Sequence, residues 1–370
     1  MVYNSIASGH GSIPQLALNQ VRRALERGWR VTCVCRDLES DLRGQVEHLP
    51  LHVPAHMFTY QWLCARRDVR AALGERTFDV LHVHQAQVAE LADVMQCHFL
   101  TRAAWQSGGV APGDGLRGRY NSAQLRVVMS AEDRYFRRVA QTPLEQSRVT
   151  MVFCSELLRS EFARLYGAPP RQQVIVNPCP PAAIPTDDEC AQARAKWVGT
   201  TDKLVVGYLG GVDERKGWKP LVEAVERDAN LFLLVGGAGT GNLDLPGLKG
   251  CFKATGPVRE VREFVAACDV FAVPSSFDPC PLVTFEAAAF GAPVIATRGV
   301  GNTPDIVRFG AGCEWKVGAP LGDLARGMVA RRAQFNAGAL AMCEALGEEH
   351  HYDAMFALYD AIRARKGAAL

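Results

Sequence analysis

Residues 272–297 read AVPSSFDPCPLVTFEAAAFGAPVIAT, and this stretch is the most informative part of the sequence. An apolar run ends at Pro274, and a loop carrying Asp278 follows it. A helix is expected to begin near Pro281, because proline is favoured at the first helical position, where its missing N–H costs nothing. A second apolar run starts at Pro293 and predicts another strand. The stretch therefore predicts a strand–loop–helix–strand unit of an α/β protein.

The start of this helix is a candidate site for an anion. The backbone N–H groups of Leu282 and Val283 would point out of the helix N-terminus, where anions bind. Glu286 lies about one turn further along an otherwise apolar helix, where an acid needs a reason. Together, Asp278 and Glu286 suit a ligand with hydroxyls at both ends and phosphate in the middle. For Asp278 alone, an acid that answers the helix dipole is an equal alternative.

The alternation of short apolar runs and helical patterns extends along the whole chain and predicts two doubly wound parallel α/β domains. Four prolines between Asn177 and Asp188 predict a linker. The expected organisation is a first domain over 1–177, a linker region over 178–201, a second domain over 202–347 and a C-terminal helix over 348–370. The predicted strands are Met1–Tyr3, Val31–Cys35, Phe78–Val83, Val149–Cys154, Val174–Val176, Leu204–Leu209, Leu231–Val235, Cys251–Ala254, Asp269–Val273 and Pro293–Ala296.

Composition excludes several classes of protein. The chain has 370 residues, and its 41 Lys+Arg against 39 Asp+Glu leave a net charge of +2, so no nucleic-acid partner is expected. Neither a long apolar run nor a secretory signal is visible, which predicts a cytoplasmic protein. Twelve cysteines without a C-x-x-C pair predict reduced core thiols and no metal site.

Residues 272–297 resemble the E-x7-E region of retaining glycosyltransferases of family 4, which have the GT-B fold of two Rossmann-like domains facing a central cleft. Family members typically read PS-x-x-E-P-F-G-L-x-x-x-E-A-x-A-x-G-x-P-V-I-A. Asp278 stands at the first Glu position and Glu286 at the second, eight residues apart. The departures are Asp278 for Glu and Pro281 for the usual Gly.

A second segment supports the resemblance. Residues 208–225 read YLGGVDERKGWKPLVEAV, similar to the family's strand–G-R-L-x-x-x-K-G–helix element, whose cations bind the donor diphosphate. Lys216 aligns, whereas Gly211 stands at the usual Arg position. Arg215 next to Lys216 resembles the R-K-G version of lipopolysaccharide-core glucosyltransferases. A solvated surface pair is the alternative for these two cations.

The amino-terminal half agrees in outline. Gly9 and Gly11 lie where the family places a glycine-rich turn against donor and acceptor, and His98 lies where relatives carry a histidine near the donor sugar. His82 and His84 are expected to pack. Residues 117–148 carry seven arginines. One possibility is a solvated helix face. The other is a patch that binds an anionic acceptor or the inner face of a membrane.

The resemblance implies transfer of a sugar from a nucleotide diphosphate donor, with a UDP-sugar slightly favoured, to a hydroxyl of a glycan or glycolipid of the cell envelope. Arg215, Lys216 and the helix amides would hold the diphosphate, Glu286 the ribose, and Asp278 and His98 the sugar. No cofactor or metal is implied, since no D-x-D element is evident. The C-terminal helix is expected to return to the first, acceptor-side domain, while the second domain binds the donor.

Three alternatives remain open. The departures at Asp278 and Pro281 allow an inactive sugar-nucleotide-binding module. A sugar-nucleotide epimerase of the same fold would consume donor without acceptor. A nicotinamide-dependent oxidoreductase is disfavoured, because the glycine-rich residues 236–241 fail the G-x-G-x-x-G register and predict a tight loop instead.

Overall fold

The computed structural model describes residues 1, 5–8, 12–52, 58–84, 86–108 and 115–367. The chain divides into two compact units. The first unit comprises Met1–Arg102, Pro112–Ile175 and His351–Leu370, and the second comprises Ala103–Ala111 and Val176–His350. Each unit has parallel β-structure and its own apolar core, so the predicted α/β class is confirmed.

The first unit is built around a four-stranded parallel sheet of order β5-β6-β7-β8, with the two-stranded pairs β1-β3 and β2-β4. Its strands are β1 Ser5–Ile6, β2 Thr32–Cys35, β3 Asp37–Leu38, β4 Glu47–Pro50, β5 His82–Val83, β6 Val94–Cys97, β7 Thr150–Phe153 and β8 Gln172–Val174. Its helices are α1 Ser12–Glu26, α2 Phe58–Leu73, α3 Thr101–Gln106 at the boundary of the units, α4 Gly115–Gln141, α5 Glu156–Tyr166 and the last helix of the chain, Glu348–Gly367.

The apolar faces of the first and last helices form the core of this unit. On α1, Leu18 and Val21 are fully buried, as the spacing of its apolar residues predicts. On the last helix, Met355, Tyr359 and Ile362 pack into one cluster with β6 and β7. The stripe predicted on this helix is therefore a buried face, and the cluster ties residues after 350 to the amino-terminal part of the chain.

The second unit has a six-stranded parallel sheet. Its strands are β9 Leu204–Leu209, β10 Leu231–Gly236, β11 Phe252–Ala254, β12 Val270–Val273, β13 Val294–Ala296 and β14 Gly312–Glu314. Its helices are α6 Asp187–Trp197, α7 Trp218–Glu226, α8 Val261–Ala266, α9 Leu282–Ala289, α10 Thr303–Phe309, α11 Leu321–Val329 and α12 Arg332–Ala345, which makes the last helix of the chain, Glu348–Gly367, α13.

The strand order of the second sheet fixes where a ligand can bind. The order is β11-β10-β9-β12-β13-β14, so the chain winds outward in one direction from β9 and in the other from β12. Ligands of open α/β sheets bind beyond the carboxyl ends of the strands at such a reversal. The loops that follow β9 and β12 carry the two motifs singled out in the sequence.

Several predicted boundaries differ from the observed ones. Residues 2 and 3 of the predicted strand Met1–Tyr3 lie outside the described residues, and the first observed strand is Ser5–Ile6. The strand predicted over Phe78–Val83 is reduced to His82–Val83. The region 178–201, predicted as a linker, contains α6. Thr186 and Glu189 form a capping box at its start, a sequence signal that the prolines obscured.

Candidate active site

The loops after β9 and β12 are held together at the reversal point of the sheet. The backbone N–H of Ser276 donates to the carbonyl oxygen of Arg215 at 2.8 Å. In the opposite direction, Nη1 of Arg215 donates to the carbonyl oxygen of Phe277 at 3.0 Å. Because both contacts involve Arg215, the cationic loop and the acidic loop form one structural element.

Gly217 permits this close approach. Its φ of 70° lies in the left-handed region, which glycine adopts without a steric penalty. A Cβ at this position would lie 1.9 Å from the carbonyl oxygen of Pro274. The glycine of the Lys216-Gly217 motif is therefore required twice, by its backbone conformation and by contact with the end of β12.

Lys216 and Asp278 form an ion pair, with Lys216 Nζ 2.5 Å from Asp278 Oδ2. Asp278 is only 8% exposed, and an ionised carboxylate so well buried requires a cation or several donors. Its backbone is also fixed, because its N–H donates to the carbonyl oxygen of Gly299 and its carbonyl accepts from Gly301, both at 2.8 Å. The structure thus brings together two residues that the sequence analysis assigned to separate motifs.

Helix α9 begins one residue later than predicted. Pro281 is the N-cap residue with an extended backbone (φ −67°, ψ 122°), whereas the sequence suggested that it was the first helical residue. Its carbonyl oxygen accepts from the N–H of Thr284 at 3.2 Å, which removes that donor from a ligand. The N–H groups of Leu282 and Val283 lie in the first turn, where no carbonyl of the helix can accept from them, and they are directed out of its N-terminus.

Glu286 lies on α9 among buried neighbours. Burial raises the pKa of its carboxyl group above the usual range. In the part of the chain that the structure describes, no lysine, arginine or histidine forms a salt bridge with it. A half-buried carboxylate in this position can accept hydrogen bonds from hydroxyl groups of a ligand.

The sequence analysis missed the role of Gly237. This residue follows β10 with a φ of 133°, and a Cβ on it would lie 2.3 Å from the carbonyl oxygen of Gly210. The loops after β9 and β10 therefore meet backbone to backbone. The sequence did indicate the tight loop at 236–241, and the residues after Gly236 form turns without a helix. The sequence did not indicate that this loop contacts Gly210 in the loop after β9.

In the first unit, His98 is part of a row of three histidine rings. His84 Nδ1 lies 2.9 Å from His98 Nε2, and the planes of the two rings are within 11° of each other. The His82 ring stacks on the His84 ring, and the hydroxyl oxygen of Tyr359 on α13 lies 2.5 Å from His82 Nδ1. Burial lowers the pKa of His98 to about 3, so its ring is neutral at physiological pH. Gly9 and Gly11 lie outside the described residues.

The carboxyl-terminal part of α4 presents a cationic surface. Four of its arginines are exposed, namely Arg126, Arg134, Arg137 and Arg138. The two acids of this part of the helix are engaged elsewhere: Glu132 is buried and accepts from the N–H of Thr101 at 3.1 Å, and Asp133 pairs with Arg102. The exposed charge of this part of the helix is therefore positive. We name this arginine set the α4 patch.

The structure also bears on metal binding and on membrane-spanning helices. Over the described ranges, no group of three or more histidine, cysteine or acidic side chains is arranged to hold a metal ion. Among those same residues, none of the helices combines the length and the apolar character needed to cross a bilayer.

Comparison with known proteins shows a family similarity in the second unit. Residues 203–331, about a third of the chain, match the family model of glycosyl transferases group 1. The stretch contains the loops after β9 and β12, Lys216, Asp278 and Glu286, so the candidate site lies inside the matched domain.

Relatives extend the similarity to the whole chain. The chain is 38% identical over 114 residues to the lipopolysaccharide core biosynthesis glycosyltransferase LpsE of Rhizobium meliloti, an alignment covering 29% of this chain and 34% of that protein. It is 27% identical over 397 residues to the D-inositol 3-phosphate glycosyltransferase of Geodermatophilus obscurus, covering 94% and 84%.

A solved structure establishes the fold. Sucrose-phosphate synthase from Thermosynechococcus elongatus superimposes with a TM-score of 0.70 at 17% identity, over 98% of this chain and 96% of that one. The chain has the GT-B fold that the sequence predicted.

Proposed function

We propose that this protein transfers a sugar from a nucleotide diphosphate-sugar to an acceptor hydroxyl, with retention of configuration and without a metal ion. The observation that carries the proposal is the convergence of the two motifs at the reversal point of the second sheet, where Lys216 contacts Asp278. Amide donors, two cations and two acids on the loops after β9 and β12 and on α9 suit a ligand with phosphate between two hydroxylated groups. A UDP-sugar is the donor we favour.

In this proposal the diphosphate binds through four groups. Arg215 and Lys216 supply positive charge, and the N–H groups of Leu282 and Val283 supply aligned donors. These groups meet the charge that develops on the leaving diphosphate, which a metal ion meets in other enzymes. Lys216 then shares its three N–H donors between phosphate and Asp278, so donor binding weakens its hold on that carboxylate.

The two acids act on different parts of the donor. Glu286 accepts from the ribose hydroxyls, since its carboxylate has no cationic partner in the described chain and lies a turn inside α9. Asp278 accepts from sugar hydroxyls and stabilises the positive charge that develops at the anomeric carbon. The Lys216 contact holds the Asp278 carboxylate in place for this role.

His98 positions the sugar as a neutral hydrogen-bonding group. Its lowered pKa removes it as an acid at physiological pH, and its contact with His84 orients the ring. The acceptor is a hydroxyl of a glycan or glycolipid. The first unit would bind it, as the resemblance implies.

The activity is tested by incubating the protein with a panel of nucleotide diphosphate-sugars and candidate acceptors in excess EDTA. Release of nucleoside diphosphate and an anomeric NMR signal with the donor's configuration are expected. A strict requirement for added Mg²⁺ or Mn²⁺ would overturn the metal-free reading. Binding without any turnover would favour an inactive module, and donor consumption without an acceptor would favour an epimerase.

We also propose that the α4 patch brings the protein to anionic membrane surfaces, where a lipid-linked acceptor would be found. Four exposed arginines on one face attract anionic headgroups, each contributing about 1 kcal/mol. Co-sedimentation with vesicles containing anionic lipid is expected, and Arg134→Glu with Arg138→Glu should abolish it. The matched control replaces Arg159 and Arg164 of α5, which are half-exposed and exposed, respectively, and pair with acids on their own helix. Equal loss in the control would contradict the assignment to α4.

A further inference from the structure

The second unit contains two thiols in direct contact, outside the groups used in the proposed reaction. Cys343 Sγ lies 3.2 Å from Cys179 Sγ. Cys179 is fully buried and Cys343 is 8% exposed. The neighbours of Cys343 at 341, 344 and 345 are exposed, so this thiol lies just beneath the surface.

The backbone on both sides of the pair is already joined. The N–H of Cys179 donates to the carbonyl oxygen of Leu346 at 2.7 Å, and residues 179 and 347 form a parallel β-bridge. A disulfide needs an S–S distance of about 2.05 Å, so the sulfurs must approach by only about 1.2 Å. The existing backbone contacts hold the two chain segments together beside the sulfurs.

The two thiols are chemically unequal. The two thiols are in hydrogen-bond contact, and this contact lowers the pKa of Cys343. The same contact raises the pKa of Cys179, as does its burial. The thiolate is the nucleophile in thiol chemistry, so the more accessible cysteine is also the more reactive one.

We propose that Cys343 and Cys179 form a reversible disulfide in response to hydroperoxides, with Cys343 as the reacting cysteine and Cys179 as the resolving one. The Cys343 thiolate attacks a peroxide oxygen and the O–O bond breaks, giving a sulfenic acid and an alcohol or water. The Cys179 sulfur then attacks the Cys343 sulfur, the S–O bond breaks, and the hydroxide leaves as water with the proton of Cys179. Two thiols are oxidised, one peroxide is reduced, and a dithiol reductant reverses the reaction by exchange.

The location gives the cross-link a structural consequence. Helix α12, which carries Cys343, packs against α9, which carries Glu286. The segment after Cys179 reaches the carboxyl-terminal end of α9, where the N–H of Ala183 donates to the carbonyl oxygen of Ala289 at 2.9 Å. The disulfide therefore ties together two elements that flank the same helix. This placement is independent of whether the protein transfers a sugar.

To test this, the reduced protein is treated with a few equivalents of hydrogen peroxide or tert-butyl hydroperoxide. Alkylation and non-reducing peptide mapping then follow. The expected product is one peptide pair joining Cys179 to Cys343, about 2 Da lighter than the two thiol peptides, which dithiothreitol converts back. Cys179→Ser should leave a sulfenic acid on Cys343 that a dimedone probe traps, and Cys343→Ser should abolish the cross-link.

Cys190→Ser and Cys313→Ser are matched controls, because both thiols are half-exposed in the same unit and should leave the product unchanged. The proposal fails if peroxide oxidises other cysteines while Cys179 and Cys343 stay reduced. It also fails if Cys280, which lies near Cys179, replaces either partner in the mapped cross-link.

Discussion

Replacing Gly217 by alanine tests the geometry that joins the two loops of the site. Alanine in the left-handed region costs about 1–2 kcal/mol. The new Cβ would also lie 1.9 Å from the carbonyl oxygen of Pro274, whereas real Cβ atoms keep at least 3.0 Å, so one loop must move by more than 1 Å. Displacing packed backbone of this kind costs about 1–3 kcal/mol more.

Gly310 provides a matched control within the same unit. Its φ of 71° is nearly the same as that of Gly217, but a Cβ there meets no atom within 4 Å. Gly310→Ala therefore bears only the backbone cost. The two variants should differ by about 1–3 kcal/mol in the free energy of unfolding, which at about 2–4 °C per kcal/mol gives a Tm difference of about 2–12 °C.

The assay is thermal unfolding of both variants, followed by titration with a nucleoside diphosphate. Gly217→Ala should also bind nucleotide less tightly, because Pro274 directly precedes the loop that carries Asp278. Gly310→Ala should keep its nucleotide affinity. Equal Tm values for the two variants, or wild-type nucleotide affinity in Gly217→Ala, would refute the claim that close approach at Gly217 shapes the site.

Three further substitutions probe single acids. Glu286→Gln should weaken nucleotide binding about tenfold or more and raise KM with little change in kcat, because the ribose contact is the same in ground and transition states. Because burial raises the pKa of Glu286, ionisation of its carboxyl group destabilises the fold as the pH rises above 4.5. In thermal unfolding, Glu286→Gln should therefore be more stable than wild type at pH 7 and equally stable near pH 4. Asp278→Asn should lower kcat by about 10- to 150-fold at saturating substrates, corresponding to about 1.5–3 kcal/mol of charge-assisted contact, and an unchanged kcat with chemistry rate-limiting would exclude its role. Burial raises the pKa of Glu132 to about 7 from 4.5. Relative to wild type, Glu132→Gln should therefore become progressively more stable between pH 4.5 and 7, and a stability difference that does not depend on pH would contradict the raised pKa.

The fold of the second unit was largely predictable from the sequence. Its strands are continuous apolar runs between turn residues, as buried parallel strands require, and Leu204–Leu209 is observed with the predicted bounds. The first unit was harder, since β5 contains only two residues and gives no periodic signal. The proline-rich residues 177–185 contain no helix, and the predicted linker region 178–201 also includes α6, which begins after the capping box at Thr186.

The residues of the site were predictable one motif at a time, but their contacts were not. Lys216 and Asp278 are 62 residues apart in sequence and meet only because β9 and β12 are neighbours in the sheet. The contact between Gly237 and Gly210 likewise depends on strand order. Sheet order arises from long-range packing, which local patterns do not encode.

The central claim is that a nucleoside diphosphate binds at the reversal point of the second sheet through Lys216. The most direct measurement is calorimetric titration, in EDTA, of the best-binding nucleoside diphosphate and its monophosphate into wild type, Lys216→Met and Lys219→Met. Lys219 is an exposed lysine three residues further along the chain and serves as the control. Lys216→Met should weaken diphosphate binding about 10- to 150-fold and remove the advantage of the diphosphate over the monophosphate, while Lys219→Met should change neither. Unchanged diphosphate affinity in a folded Lys216→Met protein would contradict it.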